Sequence, residues 1–243
     1  MAIENLMFPK KDMYLVEHNS QGRFRGLAML PVRQRRKKIH ENMHLMEGMT
    51  FTQNLHYPQM DPYTGPTDFV TVSYKDRAKH DGKNEALHFF LNDFEFRDAV
   101  WCNLEYTTYS IYKFDYLYTP DFSLWRDLPT DFYNRENVYR TRFVGAYWQN
   151  CGFKVIPTAS WGDLASFSYC FEGLPMHSVI AVSGMGNQKS TDAYNRWCYG
   201  LRRLEEAKAP ILIIVYGGEV DVQGLHTPLK FVPCFIQERL RKL

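Results

Sequence analysis

Residues 114–161, FDYLYTPDFSLWRDLPTDFYNRENVYRTRFVGAYWQNCGFKVIPTASW, decide how the rest of the chain is read. Tyr116, Leu117 and Tyr118 form an apolar run that gives way to Thr119, Pro120 and Asp121. Pro129 is placed to start a helix, and Thr130 or Asp131 can satisfy its first amides. That helix is expected to reach about Asn150, with Gly152 as its stop. The run 153–156 then leads into Pro157, Thr158, Ala159, Ser160 and Trp161. Two neighbouring strands joined by a helix run parallel, because the right-handed crossover returns the chain to the same end of the sheet. Both polar corners then fall on one edge, where α/β proteins place their chemistry.

The same alternation extends outward. LHFFL at 87–91 is a compact apolar run suited to a buried strand, and Val100, Leu104 and Ile111 recur at helical spacing within 96–112. SVIAV at 178–182 is another buried strand. An amphipathic helix over 190–207 carries Trp197, Leu201 and Leu204 on one side, and ILIIVY at 211–216 reads as an inner parallel strand. The expected fold is α/β. It has a mainly parallel sheet of repeated β–α units, either barrel-like in the manner of an incomplete TIM barrel or open, with an irregular N-terminal extension. Residues 1–85 are assigned to that extension, packed on an α/β domain of residues 86–243. Pro58, Pro62, Gly65 and Pro66 supply turn chemistry within it, and FVTVSY at 69–74 is a short β-like run.

Composition narrows the function classes. A hydrophobic fraction of 45% in 243 residues argues for a globular chain, and 29 Lys+Arg against 27 Asp+Glu leave a net charge of only +2. The whole molecule is therefore no polyanion binder, and any nucleic-acid role must rest on a local patch. Arg33, Arg35, Arg36, Lys37 and Lys38 are the densest basic run; they suit phosphate contacts, or equally a solvated face. Five cysteines, with no pair at CxxC spacing, argue against a zinc ribbon or a disulfide framework. The N-terminus lacks the apolar core of a signal peptide, and no stretch has the length of an apolar membrane span. The expectation is a cytoplasmic protein, in the host cytoplasm if phage-encoded, with no membrane partner and an oligomeric state the sequence leaves open.

The strings LYTPDFSLWRDLPTDF, NVYRTRFVGAYWQNCGFKVIPTASW, FSYCFEGLPMHSVIAVSGMG and IIVYGG, in that order, resemble a bacterial and phage family called domain of unknown function 4417. The resemblance spans about residues 87–217. It implies a phage or mobile-element setting and no particular activity.

Candidate chemistry follows from the strand ends. Asp93 and Asp121 each come just after an expected strand, so on neighbouring parallel strands they share an edge. Two such carboxylates can divide the work of nucleophile or charge stabiliser and general acid or base, or hold Mg²⁺. Aspartates also cap helices and close Asx turns there. Ser183, Gly184, Gly186 and Asn187 turn the chain from a strand into a helix, an arrangement that can cradle phosphate on backbone amides, with Arg140 as an anion-binding cation. The turn matches neither GxxxxGK[ST] nor a full GxGxxG. Trp161 at a strand end can stack on a base or sugar. Two readings stay open. One is an enzyme acting on a nucleotide or nucleic acid through paired carboxylates, as a hydrolase or a glycosyl-bond transferase. The other is a non-catalytic nucleic-acid-binding, replication-associated or host-protein-binding protein of a mobile element.

Overall fold

The computed structural model describes residues 40–186 and 190–234. Among these residues eight short strands follow one another: β1 (Val70–Ser73), β2 (Glu85–His88), β3 (Tyr116–Tyr118), β4 (Lys154–Ile156), β5 (Thr158–Ala159), β6 (Val179–Ser183), β7 (Leu212–Tyr216) and β8 (Leu229–Val232). They form two four-stranded sheets, β1-β2-β3-β4 and β5-β6-β7-β8, and every pairing is parallel. The α/β class and the parallel sheet are thus as the alternation of the sequence foretold.

Only Pro157 separates β4 from β5. Proline has no amide hydrogen for a ladder, so the strand changes partner there. β4 pairs with β3, and β5 pairs with β6. Threonine side chains cover the break: the Thr158 amide donates to Thr119 Oγ1 at 2.8 Å, and the two hydroxyls lie 2.6 Å apart.

Alternation along the strands separates an outer from an inner face. Outward residues Val72, Leu87, Leu117 and Val155 join one core, and Ile180, Val182, Ile213 and Val215 join a second. Inward residues Ala86, Tyr116, Tyr118, Ile156, Val179, Ala181, Ile214 and Tyr216 meet in a single third cluster drawn from both sheets. Strands as far apart as β2 and β7 can share one cluster only if the sheets curl round it, as in a barrel. Among the described residues β1 and β8 share no ladder. The gap is spanned by Lys230 of β8, whose Nζ donates to the Thr67 carbonyl and lies 5.8 Å from the centre of the Phe69 ring.

Among the described residues four α-helices cover the outside: α1 (Arg97–Val100), α2 (Leu104–Ile111), α3 (Phe132–Asn150) and α4 (Thr191–Lys208). The helix expected over 96–112 is broken at residues 101–103 into α1 and α2. The run 69–74 supplies β1, which pairs with β2, so the sheet crosses the boundary expected at residue 85. Helix α3 carries Phe143, Val144 and Trp148 into the first outer core and Val138 into the second. It is buried nearly all round because it lies over the seam between the sheets.

Candidate functional site

The C-terminal strand ends meet at one mouth. Its floor is aromatic: the His88 ring centre lies 4.4 Å from that of Tyr216, and Phe90 stacks on Tyr216 at 5.0 Å with an interplanar angle of 16°. His88 Nδ1 accepts from the Phe90 amide at 3.1 Å, and burial pushes the imidazolium down to about 3, so the ring is neutral at physiological pH.

Two clefts open over this floor and share Asp121, Ser123, Ser183 and Met185. The first, about 180 Å³, is completed by Leu124, Arg126, Ala159, Ser160, Trp161 and Trp197. The second, about 470 Å³, is completed by Phe90, Leu91, Asn92, Glu95, Tyr216 and Cys234. Asp121 follows β3, and its half-buried carboxyl opens onto both. Burial, reinforced by the nearby Asp93, pushes that carboxyl up to about 7, against a hydrogen bond from Ser160 and the Arg142 guanidinium, which act downward. Glu95 stands at the other extreme. Its hydrogen bond with Lys75, helped by the Asn92 amide at 3.0 Å, lowers its carboxyl below the usual range.

Asp93 lies on the same edge, as its position after β2 implies, but its carboxylate is engaged. It accepts from the Ser123 amide at 3.1 and 3.3 Å and from Ser123 Oγ at 2.8 Å. It lines a third cleft, about 550 Å³, beside Arg97, Trp125, Glu136 and Arg140. Arg140 thus sits apart from Ser183. Its guanidinium bonds Asn137 Oδ1 at 3.0 Å and Glu136 Oε2 at 3.5 Å, over the Trp101 ring. The expected phosphate set is therefore divided between clefts. In the Ser183–Gly186 turn the Gly184 amide donates to the Tyr216 carbonyl at 2.7 Å, and the Met185 amide to Ser183 Oγ at 3.3 Å. Gly217, at φ +122°, leaves room for this contact: a Cβ there would lie 3.1 Å from the Met185 nitrogen. Asn187 and the basic run Arg33, Arg35, Arg36, Lys37 and Lys38 lie outside the described residues.

Trp161 lines the first cleft with its indole laid on Gly200 of α4 and its edge toward Phe171 at 6.1 Å. Trp197 stands beside it and donates from Nε1 to the Ser183 carbonyl at 2.9 Å. Beneath the mouth Arg142 is 2% exposed and donates to the carbonyls of Glu172 (2.9 Å), Thr158 (3.0 Å) and Cys170 (2.8 Å). Burial lowers its guanidinium to about 10, still charged at neutral pH. Arg140 and Arg142 are both buried. Sequence reasoning also passed over Ser123 and Glu95, whose only signal was their nearness to strand ends, and it read Trp197 as part of the apolar face of its helix without placing it at a cleft. Among the described residues no three His, Cys, Asp or Glu side chains come together as a metal site. With Asp93 and Asp121 turned to different clefts, the pair does not fit a resident Mg²⁺.

The family described as domain of unknown function 4417 matches residues 50–230. The chain belongs to that family. It is 40% identical over 177 residues to the Gene 1 protein of Mycobacterium phage L5, covering 70% of this chain and 75% of that one. It is 42% identical over 159 residues to the Gene 1 protein of Mycobacterium phage D29, covering 65% of this chain and 58% of that relative. Both relatives are phage proteins, in keeping with the phage setting that the resemblance implied. No solved structure matches the chain. Among the described residues no helix is long and apolar enough to cross a membrane.

Proposed function

We propose that this DUF4417 domain is an enzyme that binds a nucleotide or a nucleic-acid end at the strand mouth and cleaves a sugar–base bond with Asp121 as general acid. The observation that carries this reading is the place of Asp121. It sits on the rim shared by two clefts, one walled by Trp161 and Trp197, with the hydroxyls of Ser123, Ser160 and Ser183 around it. A carboxyl whose proton is held to about pH 7 can donate it in neutral solution. The base would lie in the tryptophan cleft, where stacking on an aromatic ring is worth about 1–3 kcal/mol. The sugar would lie in the second cleft, beside the Asn92 and Glu95 side chains and the Tyr216 ring. Asp121 protonates the leaving base and the carbon–nitrogen bond breaks. Water adds at the sugar carbon and returns a proton to Asp121. Such chemistry would place the protein with the nucleotide pool of the host cytoplasm.

Incubation with nucleosides, nucleotides and single-stranded oligonucleotides, followed by chromatography for released base, tests the reading. Free base is expected from the wild type, at least about 100-fold less from Asp121→Asn, in line with loss of a general acid. Equal release by both proteins would remove Asp121 from the chemistry. Salt-sensitive oligonucleotide binding with no product from either protein would favour a non-catalytic binder.

A further inference from the structure

Asp121 does not face the mouth alone: Ser160 hydrogen-bonds it within the first cleft, and the charge of Asp93 acts on it from outside both of its clefts. Asp93 approaches from the turn after β2 and Glu95 from the same turn. Ser160 approaches from the end of β5, Arg142 from α3 below, and Arg126 and Cys234 from the rim. Glu95 is committed to Lys75 and Asn92. Asp93 is committed to Ser123 through the backbone amide and the hydroxyl together. Ser123 is two residues beyond Asp121 and lines both clefts with it. One carboxylate thereby pins the loop that carries the other.

We infer that Asp93, locked on Ser123, is a positioning residue that acts on Asp121 across the rim of the mouth. Its hydrogen bonds fix the loop after β3, and its negative charge opposes ionisation of the neighbouring carboxyl. This rests on the proposed role of Asp121 and adds a second residue to it. A nearby negative charge disfavours ionisation of a carboxyl, which is the direction in which Asp93 acts on Asp121. The device differs from a shared substrate-binding pair, because Asp93 lines the neighbouring cleft while its carboxylate is bonded to Ser123.

Carbon-13 carboxyl NMR over pH 3–9 tests the inference without any substrate, with Asp121→Asn used to assign the resonance. Asp93→Asn retains an acceptor for Ser123 and removes the charge, whereas Ser123→Ala retains the backbone amide bond and removes the hydroxyl. The Asp121 midpoint is expected to fall by about one pH unit in Asp93→Asn, a tenfold loss of proton affinity. It should fall less in Ser123→Ala. A midpoint near 7 in the wild type that stays unchanged in Asp93→Asn overturns the inference and leaves the general-acid reading standing. A wild-type midpoint near 4 overturns both.

Discussion

Asp121 and His88 titrate with opposite signs, and the difference gives the mouth a pH signature. In an unfolded chain an aspartate carboxyl titrates near 4, whereas Asp121 in the fold titrates at about 7. The folded state therefore holds the extra proton between those values. The stability this group contributes is complete below about pH 4 and is lost as pH rises through 7. His88 titrates near 6.5 unfolded and at about 3 in the fold. Its contribution is complete above about pH 6.5 and is lost as pH falls toward 3. Denaturant unfolding should show the stability of the wild type relative to Asp121→Asn declining by about 2–4 kcal/mol from pH 4 to pH 8, the lower figure allowing for solvent in the cleft. A difference that does not vary with pH would mean an ordinary carboxyl. The place of Asp121 was legible in the sequence because a residue just after a parallel strand falls on the C-terminal edge of the sheet. The work of Arg142 was not. Arg140 and Arg142 have the same side chain on one helix, and which of them meets the carbonyls of Thr158, Cys170 and Glu172 depends on two segments that follow later in the chain.

Helix α4 and the turn after β5 are matched at a single close approach. A Cβ at Gly200 would lie 2.0 Å from Cε2 of Trp161, so the indole occupies the space that any side chain would need. Within a helix, glycine is about 1 kcal/mol worse than alanine. Gly200→Ala should nevertheless destabilise the protein, because the indole must leave its notch, and it should close or distort the first cleft. Combined with Trp161→Ala, the same change should cost much less than the sum of the two alone, since the clash is gone. Additive costs in thermal or denaturant unfolding would contradict this packing. Strand positions and the two long helices were legible because apolar runs and helical spacing report burial directly. The break at residues 101–103 was not, because Trp101 and Leu104 are both buried and keep the apolar rhythm going across it. The switch of partner at Pro157 could have been read from proline's missing donor alone.

At the scale of the molecule, parallel order and curl turn scattered polar corners into a common mouth. The parallel order was legible from short β–α connections. The curl was not, because it depends on inward side chains of distant strands meeting in one cluster. The five tryptophans report separately on the regions that matter. Trp161 and Trp197 wall the first cleft, Trp125 lines the cleft beside Arg140, and Trp101 and Trp148 lie in the core. The most direct measurement is therefore the nitrogen-15 indole spectrum during titration with nucleoside monophosphates. The account predicts saturable shifts of Trp161 and Trp197, with Trp101 and Trp148 unmoved. Shifts confined to Trp125, or none at any nucleotide concentration, would contradict it.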